Sequence, residues 1–441
     1  MASVLLLGAG LVTRPLVRYL LDQPGLKLSI ASRTVEKAEA LLENHPQGRA
    51  IAFLVDDDQA LARLVGQHDL TISLLPYTYH VRVAKQCLAQ RKHMVTTSYI
   101  SPAMKELDAQ ARQAGITILN EIGVDPGIDH MSAMRVIHDV QARGGKVVSF
   151  SSYCGGLPAP EANTNPWGYK FSWSPRGVLM AGKNDGRFLK GGKVVDIPGR
   201  ELFAHFETVF VPGAGDYEGY PNRNCLGYID LYGLAGIPDM YRGTLRYPGW
   251  CRTMKAVVEL GYLDDTPRND LRGKTFKQLA GVLVPRAAGA GDAAAAVAEH
   301  LGMPRDANSI QRMEWLGLFS DEPLPEAPTI LDVLVARMLE KMAYQPGERD
   351  MLVMHHQFGA QFPGHRERIT STMVDFGIPG GDTSMARTVS LPAAIGTRLI
   401  LEGRVRVPGV VAPVIPEIYE PVLAELAGMG IACKEAKQPV A

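Results

Sequence analysis

Several features that mark other classes of protein are scarce in this sequence. Five cysteines are scattered over 441 residues without a Cys-x-x-Cys pair, which argues against a disulfide framework and a structural zinc site. The 46 basic residues equal the 46 acidic residues in number, so no net basic field exists to hold nucleic acid or an anionic membrane. No uninterrupted apolar run is long enough to cross a bilayer.

The sequence also shows no basic, apolar leader ahead of its first predicted strand. We therefore expect a soluble, unprocessed protein, and the unpaired cysteines fit a reducing cytoplasm. The length exceeds that of one ordinary domain, so we expect two or three domains that each bury a core.

The first residues contain the most regular pattern in the chain. Residues 3–20, SVLLLGAGLVTRPLVRYL, read as a buried strand, a glycine-rich turn and the start of a helix. A second strand at Leu26 to Ala31 and a helical stretch after it complete a nucleotide-binding βαβ unit of Rossmann type. Gly8 permits the tight turn, and Gly10 lets the backbone approach a pyrophosphate at the helix N-terminus. Thr13 replaces the third glycine of this pattern, so we expect looser packing of helix and strand there.

The end of the second strand indicates which dinucleotide binds. NAD sites usually place an acidic residue at this point for the ribose 2′-hydroxyl, whereas an arginine accommodates a 2′-phosphate. This chain has Ser32, Arg33 and Thr34 there, with Lys37 one helical turn further on. Two hydroxyls and a guanidinium suit a dianion, and the alternative is an exposed loop arginine. We predict that the cofactor is NADP(H).

Four more apolar runs, with helical stretches between them, predict further strands of the same parallel sheet. We expect one of them to run to Asp56 and the next to end at Leu75, before Pro76. Ligands of open parallel sheets lie beyond the carboxyl ends of the strands. That rule places these residues beside the nicotinamide half of the cleft: Val55, Asp56, Leu75, Pro76, Ser98, Tyr99 and Val124 to Gly127.

The middle of the chain is rich in glycine, proline, aromatic residues and arginine. Residues 147–179 begin as a strand and continue as a long irregular loop with four large aromatic side chains. Such loops are usually functional or disordered, and the aromatic content favours a substrate or cofactor wall over a linker. Four arginines follow in similar surroundings and as a group suggest an acidic substrate, since guanidinium groups bind carboxylates through two hydrogen bonds. They are Arg223, Arg242, Arg246 and Arg252.

Residues 274–349 look helical and contain no catalytic arrangement, so we expect packing or dimer contacts from them. Thr329 is a predicted N-cap of one of these helices.

Residues 349–362 and 367–377 alternate as antiparallel strands. His355 and His356 lie on the first of these strands, and no partner at metal-ligand spacing joins them, so we interpret them as strand histidines.

Two predicted helices near the C-terminus return to the first domain. The predicted fold class is α/β, with a Rossmann-type parallel-sheet nucleotide domain, an α+β substrate domain and a small helical insertion. The predicted boundaries are 1–128 plus 385–441 for the nucleotide domain, 129–273 plus 350–384 for the substrate domain, and 274–349 for the insertion.

Six longer stretches are more specific than the glycine turn. They are GAGLVTRP, TSYISPAMKELDAQARQAGITILNEIGVDPGIDH, CGGLPAPEANTNPWGYKFSWSPRGVL, YEGYPNRNC, GTLRYPGW and PGVVAPVIPEIYEPVLAEL. Together they resemble the saccharopine reductases, the glutamate-forming saccharopine dehydrogenases of lysine metabolism. The resemblance runs from residue 3 to beyond residue 420. It implies a reversible oxidoreductase acting on a CH–NH donor, in which aminoadipate semialdehyde and glutamate form an imine that NADPH reduces to saccharopine, and it implies a homodimer.

The resemblance and the strand-end rule together give the candidate site. The predicted cofactor contacts are Gly8, Gly10, Leu11, Val12, Thr13, Ser32, Arg33, Thr34, Val55, Asp56, Leu75, Pro76, Val124, Gly127 and Ser174, with Trp173 as the alternative to Ser174. The predicted substrate contacts are Ser98, Tyr99, Asp125, Arg223, Thr244, Leu245 and Arg246.

An imine accepts hydride readily only when protonated, so a general acid is useful. We hypothesise that Asp125 holds the substrate's ammonium group or acts as acid/base, with Tyr99 and Cys154 as weaker candidates for proton relay. The alternative for Asp125 is a turn former before Pro126.

Other functions remain open at this stage. A relative of the same fold could reduce a different imine, such as the one that leads to carboxynorspermidine, or could form lysine instead of glutamate. A non-catalytic NADP-binding regulator would keep the fold without the substrate side. The joint presence of Asp125, Arg223, Arg246 and the aromatic loop favours the enzyme. We expect a small substrate with several carboxylates, no nucleic acid, no membrane and no metal.

Overall fold

A computed structural model describes residues 2–440, which form sixteen strands and sixteen α-helices. The strands are β1 (Ala2–Leu7), β2 (Leu26–Ser32), β3 (Gly48–Ala52), β4 (Leu70–Ser73), β5 (His93–Val95), β6 (Thr117–Leu119), β7 (Lys146–Pro158), β8 (Gly186–Lys190), β9 (Lys193–Ile197), β10 (Glu207–Val211), β11 (Gly215–Pro221), β12 (Asp239–Arg246), β13 (Asp350–Phe362), β14 (His365–Phe376), β15 (Gly409–Val411) and β16 (Lys434–Val440).

The helices alternate with the strands in the first third of the chain. They are α1 (Arg14–Leu21), α2 (Val35–Leu42), α3 (Asp58–Gly66), α4 (His80–Ala89), α5 (Pro102–Lys105), α6 (Asp108–Ala114), α7 (Ile128–Ala142), α8 (Pro175–Met180), α9 (Gly227–Leu231), α10 (Trp250–Glu259), α11 (Phe276–Leu283), α12 (Ala293–His300), α13 (Asn308–Leu316), α14 (Ile330–Lys341), α15 (Ser384–Leu401) and α16 (Pro416–Gly428). No helix in the described part of the chain is both long and apolar enough to cross a membrane.

The chain forms two compact units, residues 1–146 with 373–436 and residues 147–372 with 437–441. The limits differ from the predicted boundaries in four places. Residues 129–146 and 373–384 belong with the first unit, and residues 274–349 and 437–441 belong with the second unit. The division into three parts stays a prediction.

The first unit contains a parallel seven-stranded sheet in the order β15-β6-β5-β4-β1-β2-β3. Its central strand β1 is fully buried from Val4 to Leu7, as expected for a sheet with helices on both faces. The strand order reverses beside β1, between β2 on one side and β4 on the other. In sheets of this kind the ligand binds at that switch point, outside the carboxyl ends of the strands.

Some of these strands are shorter than the sequence predicts. β3 ends at Ala52 rather than Asp56, because the chain turns into α3, where the Asp57 carboxylate accepts a hydrogen bond from the Ala60 amide. β4 ends at Ser73, two residues before Leu75. Another strand, β15, was not predicted; it comes from the C-terminal segment and pairs in parallel with β6.

The second unit is built on a nine-stranded mixed sheet. Its main path is β10-β11-β12-β7-β13-β14-β16, and the β8–β9 hairpin attaches to β12. β7 runs for 13 residues, further than expected, and pairs in parallel with β12. A Cβ atom at Gly155 would lie 2.6 Å from the Leu245 carbonyl oxygen. Glycine therefore lets the two strands stay close where the sequence suggested a loop.

The predicted hairpin and helices of this unit are present. β13 and β14 are sheet neighbours joined by two residues. Thr329 caps α14, because its hydroxyl accepts a hydrogen bond of 3.0 Å from the Asp332 amide. On β13, His355 lies 2.8 Å from the Thr372 hydroxyl, and the His356 ring packs against Phe150 and Phe358.

Candidate active site

The turn after β1 has a backbone shape that only glycine fits. Gly8 has a φ angle of +110°, and a Cβ atom built there would lie 3.0 Å from the Leu74 carbonyl oxygen. Its amide donates to the carbonyl of Ala31 at 3.0 Å. The turn therefore lies between the ends of β2 and β4, at the switch point of the sheet.

Thr13 closes the same turn from the helix side. Its side chain is fully buried, and its Oγ1 accepts a hydrogen bond of 3.0 Å from the Gly10 amide. Thr13 is thus enclosed and satisfies a turn amide, and the expected looser packing of helix and strand at this position stays a prediction. The outer side is open, since no atom lies closer than 4.0 Å to a Cβ built at Gly10. Leu11 is 75% exposed and Val12 is half-buried.

The segment after β2 presents hydroxyl groups and a cation. The Ser32 hydroxyl accepts a hydrogen bond of 3.2 Å from the Thr34 amide, which fixes the bend. Arg33 is exposed, and within residues 2–440 its guanidinium forms neither a hydrogen bond nor an ion pair. No carboxylate occupies these three positions. The segment therefore offers a phosphate group one cation and no repulsive charge.

The predicted residues after β3 and β4 lie in turns beyond the strand ends. Val55 and Leu75 pack against the core of the first unit. The Asp56 carboxylate accepts a hydrogen bond of 3.0 Å from Arg82, which also donates to the Asp56 carbonyl. Pro76 begins the short turn that leads into α4.

Ser98 is held by a buried histidine that the sequence did not reveal. His80, the first residue of α4, places Nδ1 2.9 Å from the Ser73 hydroxyl and Nε2 2.8 Å from the Ser98 hydroxyl. The Thr96 hydroxyl lies 3.4 Å from the same Nε2. Burial lowers the pKa of His80 to about 4, so the ring is uncharged near neutral pH.

Tyr99 and Asp125 meet in the first unit. The Tyr99 hydroxyl donates to Asp125 Oδ1 at 3.3 Å, and both side chains are half-buried. The peptide bond between Asp125 and Pro126 is cis. The sequence nominated this carboxylate and this phenol separately, and the structure joins them by a hydrogen bond.

Glu121 connects the two loops that carry these residues. Its carboxylate accepts a hydrogen bond of 2.8 Å from the Ile100 amide and contacts His130 Nε2 at 2.7 Å. Glu121 is 5% exposed and has a φ angle of +56°, an uncommon backbone shape for a residue with a side chain. The Gly127 amide donates to Asp129 at 2.5 Å. Val124 is buried in the same loop.

The second unit brings other predicted residues onto adjacent strands. Cys154 on β7 lies opposite Thr244 on β12, and both are on the sheet face shared by Arg246 because side chains alternate along a strand. Leu245 points to the other face and is fully buried. Cys154 is buried and not part of a disulfide.

Arg246 is a buried cation between aromatic rings. It is 4% exposed, and its guanidinium carbon lies 4.9 Å from the Tyr169 ring centre and 5.6 Å from that of Trp250. One Nη donates to the Leu245 carbonyl at 2.7 Å, whereas Nε has no hydrogen-bond partner. Among the described residues no carboxylate forms an ion pair with it.

Glu218 lies opposite Arg246 in the strand register but does not neutralise it. Its two carboxylate oxygens accept hydrogen bonds of 2.7 Å from the Gly249 amide and 2.8 Å from the Cys251 amide. These amides are at the start of α10, where an anion is stabilised by the helix dipole. The Glu218 carboxylate therefore holds the start of the helix, and within residues 2–440 it forms no ion pair with Arg246.

The remaining predicted residues of this unit are at its loops. Arg223 follows β11 and has a φ angle of +56°. Ser174 is exposed, and its hydroxyl accepts a hydrogen bond of 3.3 Å from the Gly177 amide at the start of α8. Trp173 is half-buried beside it, and Arg252 is exposed on α10.

Known proteins match both parts of the chain. Residues 4–119 match the family model "Saccharopine dehydrogenase NADP binding domain", and residues 123–431 match "Saccharopine dehydrogenase C-terminal domain". The chain belongs to the saccharopine dehydrogenase family. A family member from Pyricularia oryzae, named saccharopine dehydrogenase [NADP(+), L-glutamate-forming], is 41% identical over 98% of both chains.

Two further family relatives agree. The solved apo saccharopine dehydrogenase (L-Glu forming) of Saccharomyces cerevisiae superposes with a TM-score of 0.90, at 40% identity and over 100% of both chains. The mitochondrial alpha-aminoadipic semialdehyde synthase of Bos taurus is 38% identical over 97% of this chain, which spans 47% of that protein. The predicted family, the α/β fold with a parallel nucleotide-binding sheet, and the NADP binding domain are confirmed.

Several residues around the saccharopine dehydrogenase site were not found from the sequence. His80 and Glu121 hold the two loops of the first unit, and Glu218 holds α10 in the second. Tyr169 and Trp250 belong to aromatic segments that were noted, but their contact with Arg246 was not. No spacing rule joins these residues to their partners, because the contacts form only when separate loops, helices and strand ends come together in the fold.

Proposed function

We propose that this chain is an NADP(H)-dependent oxidoreductase that interconverts saccharopine with L-glutamate and L-2-aminoadipate 6-semialdehyde in lysine metabolism. Membership of the saccharopine dehydrogenase family supports this reaction. The observation that carries the proposal is the environment of Arg246, a buried guanidinium without a carboxylate partner in the described chain. A buried cation requires a compensating anion, and saccharopine has three carboxylates.

The first unit fits NADP(H). The turn at Gly8 packs against the end of β4 and leaves open space outside Gly10, and the bend at Ser32 to Thr34 offers Arg33 to a 2′-phosphate without a carboxylate at those three positions. NADP held there would supply the hydride acceptor: the methylene carbon beside the secondary amine, on the six-carbon arm of saccharopine, loses a hydride and the nitrogen loses its proton, and the imine so formed takes up water and separates into glutamate and the semialdehyde. In the reverse direction glutamate and the semialdehyde form the imine with loss of water, and reduction of the imine gives saccharopine.

The second unit supports a long, acidic substrate. The Asn222 amide donates to the Arg242 carbonyl at 2.8 Å, so Arg223 lies one residue beyond that pair. Arg246 is four residues from Arg242 along β12, so at about 3.3 Å per residue it lies roughly 13 Å from the Asn222–Arg242 pair beside Arg223. This separation suits a substrate with carboxylates at both ends.

Asp125 is the proposed acid/base, or the group that holds the substrate's ammonium. The Tyr99 hydroxyl donates to it at 3.3 Å, which orients the carboxylate and stabilises its charge. The carboxylate then takes the proton of the secondary amine during oxidation and returns it to the imine during reduction. Tyr99 and Cys154 are weaker candidates for this relay.

The proposal includes a cytoplasmic homodimer without a nucleic-acid partner. The balance of 46 basic and 46 acidic residues argues against a nucleic-acid partner, the five cysteines outside disulfides fit a reducing compartment, and the homodimer follows from the family resemblance. Light scattering coupled to gel filtration measures the assembly. A mass of two chains is the expected result, and a monomer at all concentrations would contradict it.

The experiment that tests the reaction follows nicotinamide absorbance with purified protein, NADP and saccharopine across a pH range. We expect a saccharopine-dependent rise that an Asp125→Asn variant loses by about 100-fold or more, since general acid–base catalysis commonly contributes that much. Full turnover by Asp125→Asn at every pH would exclude the acid/base role. No rise with the unmodified protein would contradict the proposed function.

A further inference from the structure

A chain of three polar side chains joins two strand ends of the first unit. Ser73 is the last residue of β4, His80 begins α4, and Ser98 follows β5. Ser73 and His80 are almost completely buried, at 0% and 4% exposure. Two hydrogen bonds of 2.9 and 2.8 Å link the Ser73 hydroxyl, the imidazole ring and the Ser98 hydroxyl in that order.

The contacts assign the tautomer of the ring. Two oxygens face Nε2, Ser98 Oγ at 2.8 Å and Thr96 Oγ1 at 3.4 Å. One N–H can be shared between two acceptor oxygens, whereas one nitrogen lone pair accepts a single good hydrogen bond. Nε2 therefore carries the proton, and Nδ1 accepts from the Ser73 hydroxyl.

This tautomer sets the direction of the Ser98 hydroxyl. With its oxygen accepting from His80, the Ser98 hydroxyl keeps its own hydrogen as a donor. Inside residues 2–440 this hydroxyl forms a hydrogen bond to no side chain other than that of His80. Ser98 is half-buried beside Tyr99, whose hydroxyl reaches Asp125. The donor is thus fixed within the loop that the substrate is proposed to contact.

We propose that His80 is a positioning residue that fixes the Ser98 hydroxyl as a hydrogen-bond donor to a carboxylate of the substrate. The inference rests on the proposed function, because it takes saccharopine as the ligand of Ser98. His80 itself touches neither the substrate nor the cofactor. Its effect on the reaction passes through Ser98, and Ser73 holds the opposite side of the ring.

Two substitutions of His80 test the roles of its two ring nitrogens separately. The amide of His80→Gln reaches the position of Nε2 and keeps a donor for Ser98, whereas the shorter amide of His80→Asn reaches only the position of Nδ1. We expect His80→Asn to raise the KM for saccharopine about tenfold, the value of one hydrogen bond to a charged group. His80→Gln restores a KM within about threefold of the unmodified protein, and the KM for NADP stays within about twofold in both.

Ser98→Ala and the double variant Ser98→Ala/His80→Asn complete the test. If His80 acts through Ser98, the double variant has the same KM for saccharopine as Ser98→Ala alone. His68→Gln is the matched control, because His68 is also buried with both ring nitrogens in contact, to Leu64 and Ser29, and lies before β4 rather than beyond it. It should lower thermal stability without raising the KM.

Each outcome decides the inference. A KM for saccharopine that is unchanged in a folded His80→Asn protein overturns it, and so do losses that add in the double variant. Equal effects of His80→Asn, His80→Gln and His68→Gln would show a purely structural role and also overturn it. If the unmodified protein itself fails to reduce NADP with saccharopine while binding NADPH, the proposed function fails first and the role of His80 falls with it.

Discussion

Arg246 combines burial, two aromatic neighbours and the lack of an ion pair anywhere in residues 2–440. The rings of Tyr169 and Trp250 stabilise the cation through their π faces, and the Leu245 carbonyl fixes one end of the guanidinium. A buried charge that is only partly compensated lowers stability. Binding of an anionic ligand by Arg246 would therefore explain why this charge is buried without an ion pair.

Replacement of Arg246 by methionine separates binding from stability. We expect the KM for saccharopine to rise by about 10- to 100-fold, since a hydrogen bond to a charged group contributes about 1.5–3 kcal/mol. The free energy of unfolding should stay the same or increase, because an apolar side chain of similar volume removes an uncompensated charge. Steady-state kinetics and urea denaturation measure the two quantities.

The matched control for this variant is Arg252→Met, since Arg252 is exposed on α10 six residues later. It should leave both quantities unchanged. A large loss of stability in Arg246→Met with an unchanged KM would show that Arg246 is a structural residue instead.

Residues with a local signal were predictable from the sequence, whereas residues that act through distant partners were not. The glycine turn at Gly8 and the bend at Arg33 follow from spacing within a few positions. The contacts of His80 with Ser98, and of Arg246 with Tyr169, join residues that are 18 and 77 positions apart. Only the tertiary fold brings such pairs together.

At the scale of elements, the segment from Glu121 to His130, a loop and the first residues of α7, is held by several close contacts. Glu121 contacts Ile100 and His130, and Gly123 and Gly127 form a backbone bridge. A Cβ atom built at Gly127 would lie 2.0 Å from the Gly123 carbonyl oxygen, and the Gly127 φ angle is +148°. The loop that carries Asp125 is therefore shaped by a glycine.

We expect Gly127→Ala to lower the free energy of unfolding by about 3 kcal/mol or more, because neither the backbone angle nor the space admits a methyl group. Activity should fall as well, since Asp125 lies on the displaced loop. Gly428→Ala is the control, because that glycine ends α16 with nothing within 4 Å of an added Cβ. Denaturant titration of both variants checks the prediction, and equal stabilities would contradict it.

Element boundaries were predicted less well than element types. The strands of the first unit were expected from their apolar runs, but β3 and β4 stop early because their last apolar residues enter turns that lead to α3 and α4. β7 continues through Gly155 because a neighbouring strand approaches there. β15 has only three residues, and its pairing with β6 has no local signal.

At the scale of the whole molecule, buried histidines make the fold sensitive to acid. Burial lowers the pKa of His80 to about 4, and it also lowers the pKa values of His68, His93 and His355. The unfolded chain then binds more protons than the folded chain below the ordinary histidine pKa of about 6.5. Stability is therefore complete above about pH 6.5 and is lost as the pH falls from there toward about 4.

His80 alone accounts for a loss of up to about 3 kcal/mol over that interval, since each unit of pKa shift corresponds to about 1.4 kcal/mol. We expect His80→Gln to flatten the dependence of stability on pH between about 6.5 and 4. His365→Gln, at an exposed position, should leave the dependence as it is. Melting temperatures across this range test the prediction, and a steeper dependence in His80→Gln would contradict it.

The measurement that tests the central claim most directly is the stoichiometry of saccharopine oxidation, with NADP and NAD in parallel reactions. Reduced nicotinamide is followed by absorbance, and the amino acids are quantified after each reaction. The account predicts one glutamate and no lysine for each NADPH formed, with little reaction with NAD. Release of lysine in place of glutamate, a preference for NAD, or no reduction of either cofactor would contradict it.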